Sequence, residues 1–120
     1  MKIAVTAQEP RMEAQVDPRF GRAPYFIIAD TETDEWKAIE NRQNMQAAQG
    51  AGIQSAETVV GQDVEALLTG HCGPKAFSVL KSAGVEVFVG IEGVVQDAIE
   101  QHKSGNWKLA GSADVEGHWA

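Results

Sequence analysis

Val64-Glu65-Ala66-Leu67-Leu68-Thr69-Gly70-His71-Cys72-Gly73-Pro74-Lys75-Ala76-Phe77 carries the chain from one kind of secondary structure into another. The apolar run 64–69 reads as a buried strand. The pattern leaving Pro74 reads as a helix over 74–83, presenting Phe77 and Leu80 to a core with Val79 at its margin. Proline suits a first helical turn, because the N–H it lacks would find no intrahelical acceptor there. The only cysteine, a histidine and two glycines fill the turn between. A strand feeding directly into a helix is half of a β-α-β crossover, the unit of parallel sheets with right-handed connections.

Toward the C-terminus, Gly84 caps that helix, residues 85–89 form a strand, and residues 94–102 a helix carried by Val95, Ala98 and Ile99. Toward the N-terminus, residues 52–60 place Ile53, Ala56, Val59 and Val60 on one helical face, with Gly61 as the expected cap. Residues 2–7 read as a first strand, residues 25–30 as a second, and residues 36–40 as a third returning from a turn at 31–35. Residues 41–50 are polar and read as loop. The order β-β-β-α-β-α-β-α predicts one α/β domain. Its five-stranded mixed sheet has the order 3-2-1-4-5 and three helices, a ribonuclease H-like fold. Strands one, four and five run parallel and strand two antiparallel.

A chain of 120 residues suits a single domain. Its formal charge of −7 argues against nucleic acid as a partner, since phosphate recognition draws on lysine and arginine. No apolar run reaches the roughly 18–20 residues that cross a bilayer, so no membrane partner is expected. The start Met1-Lys2-Ile3-Ala4-Val5 enters a strand pattern without a signal segment, which leads us to expect the cytoplasm. One cysteine excludes an internal disulfide framework and a zinc site of several thiolates. It also excludes an all-cysteine iron–sulfur cluster within one subunit, which takes about four thiolates. Monomer and homodimer both remain open, and a dimer doubles the thiols available at a shared site.

In open α/β sheets, ligands bind beyond the carboxyl ends of the parallel strands. Three segments are expected to gather there: residues 8–22, 70–74 and 90–93. The first is long for a connection in a small domain, which favours a functional loop, expected to serve as a lid over a site. It also carries Arg11, Arg19 and Arg22 in an otherwise acidic chain. The candidate binding residues are therefore Arg11, Arg19, Arg22, Gly70, His71, Cys72, Gly73, Gly90 and Gly93, with Cys72 and His71 as the candidate metal ligands.

Each candidate has a structural reading beside the functional one. Cys72 at a helix entrance gains thiolate character from the positive end of the helix, yet a lone cysteine also serves as a small core hydrophobe. His71 faces a ligand or bonds a nearby carbonyl. The arginines hold an anion or form surface pairs, for which Asp17 is a natural partner. The glycines keep Cβ atoms clear of an approaching ligand, or simply satisfy turn geometry, with the Gly90 and Gly93 amides offered to an anion. His102 reads as a structural residue at a helix C-terminus and His118 as a surface residue.

Asp17-Pro18-Arg19-Phe20-Gly21-Arg22-Ala23-Pro24-Tyr25-Phe26, Gly50-Ala51-Gly52, Gly70-His71-Cys72-Gly73-Pro74-Lys75-Ala76-Phe77 and Ala83-Gly84-Val85 follow one another along nearly the whole chain. In that order they resemble the dinitrogenase iron–molybdenum-cofactor family of the NifX/NafY type. The resemblance implies a ribonuclease H-like fold and a protein that binds or carries a metal–sulfur cluster, not an enzyme. The expected cofactor is a molybdenum–copper sulfide or an iron–molybdenum or iron–sulfur cluster. Residues 1–103 would form the cluster-binding domain and residues 104–120 a tail, with Trp107, Leu109 and Trp119 as docking points.

One departure bears on the ligand. Members that handle the nitrogenase cofactor often carry a histidine before the Phe-Gly pair, where this chain has Arg19. Arginine has no lone pair for a metal but donates hydrogen bonds to sulfide or oxo atoms. That favours an anionic cluster held by charge and hydrogen bonds, with the Cys72 thiolate as a candidate ligand. A protein that donates or receives the cluster is then an expected partner. Two other readings stay open: a regulatory or scaffold protein that senses a cluster, and a Cys72-dependent enzyme. Nuclease chemistry is disfavoured, since the first strand lacks the carboxylates that two magnesium ions require.

Overall fold

The computed structural model describes residues 1–41, 51–107 and 109. The elements are β1 (Lys2–Ala7), β2 (Tyr25–Asp30), β3 (Trp36–Glu40), α1 (Ala51–Val60), β4 (Ala66–Leu68), α2 (Pro74–Ser82), β5 (Glu86–Phe88) and α3 (Val95–Lys103). They build one α/β domain around a five-stranded sheet of order β3-β2-β1-β4-β5. β1 pairs β4 in parallel, and β4 pairs β5 in parallel. β2 is antiparallel to both β1 and β3. The architecture is the one expected from the alternation of patterns.

Strand alternation sorts side chains onto two buried faces. Ile3, Val5, Ile27, Ala29 and Leu68 point toward α3 and its Val95, Ala98 and Ile99. Ala4, Phe26, Ile28 and Leu67 point toward α1 and α2, meeting Ala56, Val59, Ala76 and Leu80. Burial on both faces explains why β1 and β2 read as nearly unbroken apolar runs. Two helices cover one face, whereas α3 alone covers the other.

Several boundaries differ from expectation for identifiable reasons. β4 and β5 pair over three residues each, shorter than the runs 64–69 and 85–89. Beyond them the chain turns out at once, with Gly90 at φ +76° donating its amide to Gly70 O at 2.8 Å. α1 is followed by a left-handed residue at Asp63 (φ 57°), not at Gly61. Aspartate is among the few side chains that tolerate this conformation. α2 ends as expected at Gly84 (φ +80°): Gly84 N donates to Lys81 O and Val85 N to Leu80 O, the paired bonds of a Schellman motif.

Asn41, read as loop, is instead a buried latch. Its side-chain amide donates to Ala23 O at 2.8 Å and to Ser55 Oγ at 2.9 Å. The rest of the expected 41–50 loop lies outside the described residues. Trp107 docks as anticipated, donating from Nε1 to Ala98 O at 2.9 Å. Leu109 is more than half exposed but borders a hollow lined by Phe77, Val85 and Val87. Trp119 and His118 lie outside the described residues.

Candidate functional site

The rim is built outward from the end of β1. Thr6 is fully buried, and its hydroxyl donates to Asp17 O at 2.8 Å. With that proton committed, the 3.0 Å contact to Thr69 Oγ1 is donated by Thr69. Asp17 N returns a bond to Thr6 O at 2.9 Å. Two buried threonines thus tie the first loop across the ends of β1 and β4. The sequence reading passed over both, although a hydroxyl closing each apolar run was a visible signal.

From Asp17 the loop lies down against the segment that follows β4. Arg19 and His71 form an isolated parallel bridge, and Phe20 N donates to His71 O at 3.1 Å. Gly70 is required here for a reason different from ligand access. A Cβ on it would stand 2.6 Å from both Cα and O of Pro18, so the space a ligand was expected to use is filled by the chain itself. The loop is fastened wall rather than lid: Val16 N bonds Gly93 O, Val95 N bonds Ala14 O, and Gln96 N bonds Met12 O.

These contacts bring all three expected segments together at the carboxyl end of the parallel strands. They do not bring every candidate side chain there. Arg19 is exposed and Arg22 half-buried, and neither guanidinium makes an ion pair among the described residues. Asp17, the expected ion-pair partner, instead accepts from the backbone N of Arg19 at 2.9 Å, closing a local turn. Arg11 pairs with Glu9 at 2.9 Å, which raises its pKa, and sits on the stretch that abuts α3. It is already compensated.

Gly73 is the N-cap of α2 with no side-chain cap, and Pro74 follows at the first helical position. The first-turn amides of this nine-residue helix therefore receive no side-chain cap. Gly90 and Gly93 serve geometry, at φ +76° and +94°, and Gly90 has spent its amide on Gly70. The expectation that its amide is available to an anion is corrected accordingly.

Cys72 is placed at the helix entrance as anticipated, but its side chain is 0 % exposed. It packs in the same apolar cluster as Phe20, Phe26 and Ala76, with Sγ 3.7 Å from Gly73 O. Phe20 was the missed residue here. Its ring, fully buried and 5.6 Å from that of Phe26, belongs to the layer that encloses the sulfur. In this arrangement the thiol is a core group, and direct ligation requires the 70–73 segment to open. His71 is half-buried beside Arg19. Among the described residues no group of three or more His, Cys, Asp and Glu side chains stands ready to enclose a metal ion. What this end of the sheet sets side by side is an exposed arginine, Arg19, and a helix entrance whose N-cap, Gly73, brings no side chain, a pairing suited to an anion.

Comparison with known proteins bears on the family and the fold. The family profile for dinitrogenase iron-molybdenum cofactor matches residues 1–105. The apo form of the orange protein from Desulfovibrio gigas is 36 % identical and superposes with a TM-score of 0.91, over 95 % of this chain and 96 % of that one. A Thermotoga protein solved by NMR is 30 % identical with a TM-score of 0.79, over 96 % of this chain and 97 % of that one. An uncharacterised protein of Methanocaldococcus jannaschii is 34 % identical over 90 residues, 73 % of either chain. Among the described residues no helix is long and apolar enough to cross a membrane.

Proposed function

The chain belongs to the dinitrogenase iron-molybdenum cofactor family, and from that premise we propose that it binds and carries an anionic metal–sulfur cluster without turning it over. The cargo sits at the rim where Arg19, Arg22, His71 and the first turn of α2 converge. The observation that carries this reading is the Arg19–His71 bridge, a backbone pairing that holds the arginine-bearing segment beside the turn leading into α2, whose N-cap has no side-chain bond. A charge-assisted hydrogen bond contributes about 1.5–3 kcal/mol, against about 0.3–1 kcal/mol for the helix dipole. The arginines therefore decide affinity, and the helix sets the direction of approach.

Arg19 also selects the class of cargo. Its guanidinium cannot enter a metal's coordination sphere, but it pairs with sulfide or oxo atoms on a cluster's periphery. A thiomolybdate-based cluster, with copper(I) bridged by its sulfides, completes its soft ligand shell from its own sulfur and asks the protein mainly for counter-charge. An iron–sulfur or iron–molybdenum cluster with open iron sites demands more protein ligands, of which His71 is the nearest at the rim. The protein shields such a cluster in the cytoplasm and releases it to a recipient protein.

The test is anaerobic reconstitution with tetrathiomolybdate and copper(I), and separately with iron and sulfide. A bound cluster gives charge-transfer absorption in the visible that co-elutes with the protein. A protein that stays colourless in both mixtures contradicts the proposal. Cys72→Ala separates the two modes of holding. Retained colour assigns the cargo to arginines and amides, whereas lost colour in a folded variant makes the buried sulfur a ligand reached by opening.

A further inference from the structure

We propose that the open half of the α3 face is a docking groove for a basic amphipathic helix of a partner protein, with Trp36 as its anchor. The sheet's two faces are covered unequally: α1 and α2 share one, and α3 alone packs on the other, against β1 and β4. Over β2 and β3 this leaves a hollow of about 400 Å³ between α3 and the β2–β3 hairpin. Its apolar wall is Met12, Ala29, Trp36 and Ile99. A second hollow of about 350 Å³ continues on the other side, sharing Ala29, Asp30 and Trp36 with the first. Trp36 is thus a ridge between two depressions, and it is 45 % exposed, whereas most large apolar side chains of the fold are buried. Tryptophan is among the side chains most enriched at the energetic hot spots of protein interfaces.

The charge of the larger hollow chooses the occupant, since the smaller one balances Asp30 and Glu35 with Lys2 and Lys37. Glu13, Asp30, Asp34 and Glu100 line the larger hollow against a single basic residue, Lys103. That lysine is already engaged, at 2.6 Å from Asp34 and 3.6 Å from Glu100. A second copy of this chain is opposed by like charge, since the chain carries −7 overall. The chain's own end fits no better. Leu109 lies beside Val85 and Val87, at the β5 edge, and residues 110–120 carry Asp114 and Glu116 with no lysine or arginine. A helix of a partner, laid beside α3 with apolar residues on Trp36 and lysines toward the carboxylates, satisfies both shape and charge.

Position makes the groove compatible with cargo. Trp36 pairs with Ala29 and lies near the amino-terminal end of β1, whereas Arg19 and His71 lie beyond its carboxyl end. A partner docked here leaves the arginine rim uncovered.

The test titrates the ¹⁵N-labelled full chain with three amphipathic peptides of identical apolar residues, whose polar positions are all lysine, all glutamine or all glutamate. The lysine peptide is expected to shift the Trp36 indole and the Gln96 and Glu100 amides. Its affinity should drop at least about 10-fold in Trp36→Ala and several-fold on raising salt from roughly 0.05 to 0.3 M, as screening shortens the reach of the carboxylates. Tetrathiomolybdate binding by Trp36→Ala should be unchanged. Equal binding of the glutamine or glutamate peptide, shifts centred elsewhere, indifference to Trp36→Ala, or silence at millimolar peptide each overturns the proposal.

Discussion

Two helices begin at the same rim of this sheet, and their first turns are treated in opposite ways. α3 opens with Val95 and Gln96, whose amides are closed off by the carbonyls of Ala14 and Met12. α2 opens with Gly73 and Pro74 and receives no side-chain cap. The nearby charges follow the same division. Arg11, on the α3 side, is neutralised by Glu9, while Arg19, bridged to His71 ahead of α2, and Arg22 have no ion pair among the described residues. A helix N-terminus is thus not a site merely because it exists. The entrance of α2 is the better candidate, because its first turn receives no side-chain cap and Arg19 is bridged to the residue leading into it.

The sharpest way to break this contrast is at Gly70. In Gly70→Ala the new Cβ meets Pro18 backbone at 2.6 Å, and backbone cannot rotate aside. We expect a loss of about 1–3 kcal/mol, read from the urea midpoint, together with weakened thiometalate binding as the arginine segment lifts off α2. Arg19→Ala with Arg22→Ala should leave that midpoint unchanged. Taking about 1.5 kcal/mol for each lost charge-assisted bond, affinity for tetrathiomolybdate falls by roughly 100-fold, measured by calorimetry. Arg11→Ala, on the satisfied side, should change it less than about twofold. Equal losses in the two experiments would erase the distinction between the helices.

A smaller effect tests how the rim is tied down. Thr6→Val removes the hydroxyl that donates to Asp17 O and leaves a carbonyl short of its partner. A cost of about 1 kcal/mol is expected, again from the urea midpoint. The smallest effect belongs to the far end of α3. Burial lowers the pKa of His102, outweighing Glu86, and the ring packs edge-on against Phe88 at 5.1 Å. A lowered value means that, as pH drops below about 6.5, the unfolded chain takes up the proton before the folded one. Stability should then decline with falling pH and level off once the folded form protonates. The His102→Phe variant should lose that component of the pH dependence.

The fold was largely legible because its signals are local. Pro74 and Gly84 punctuate α2, the spacing of Val95, Ala98 and Ile99 marks α3, and the unbroken apolar runs mark strands buried on both faces. The convergence of loops was legible too, since it follows from strand order. The contents of the rim were not. Gly70 is a glycine because of Pro18, 52 positions earlier, and nothing in its neighbourhood announces that contact. Cys72 reads as accessible from its flanking glycine, histidine and proline, and the burying partner, Phe20, comes from a loop whose path the sequence leaves open. The closure of α3 depends on main-chain carbonyls of Met12 and Ala14, which carry no residue-specific signature. Long-range backbone contacts, not side-chain chemistry, are what the pattern failed to disclose.

The account rests on α2 being the open entrance and α3 the closed one. Its most direct test is a titration of the ¹⁵N-labelled chain with tetrathiomolybdate, following amide and arginine Nε resonances together. The account predicts coincident, saturable shifts at Lys75, Ala76, His71 and the Arg19 and Arg22 side chains, while Val95 and Gln96 stay in place. Shifts centred on Val95 and Gln96, or a rim unmoved at saturating ligand, would contradict it.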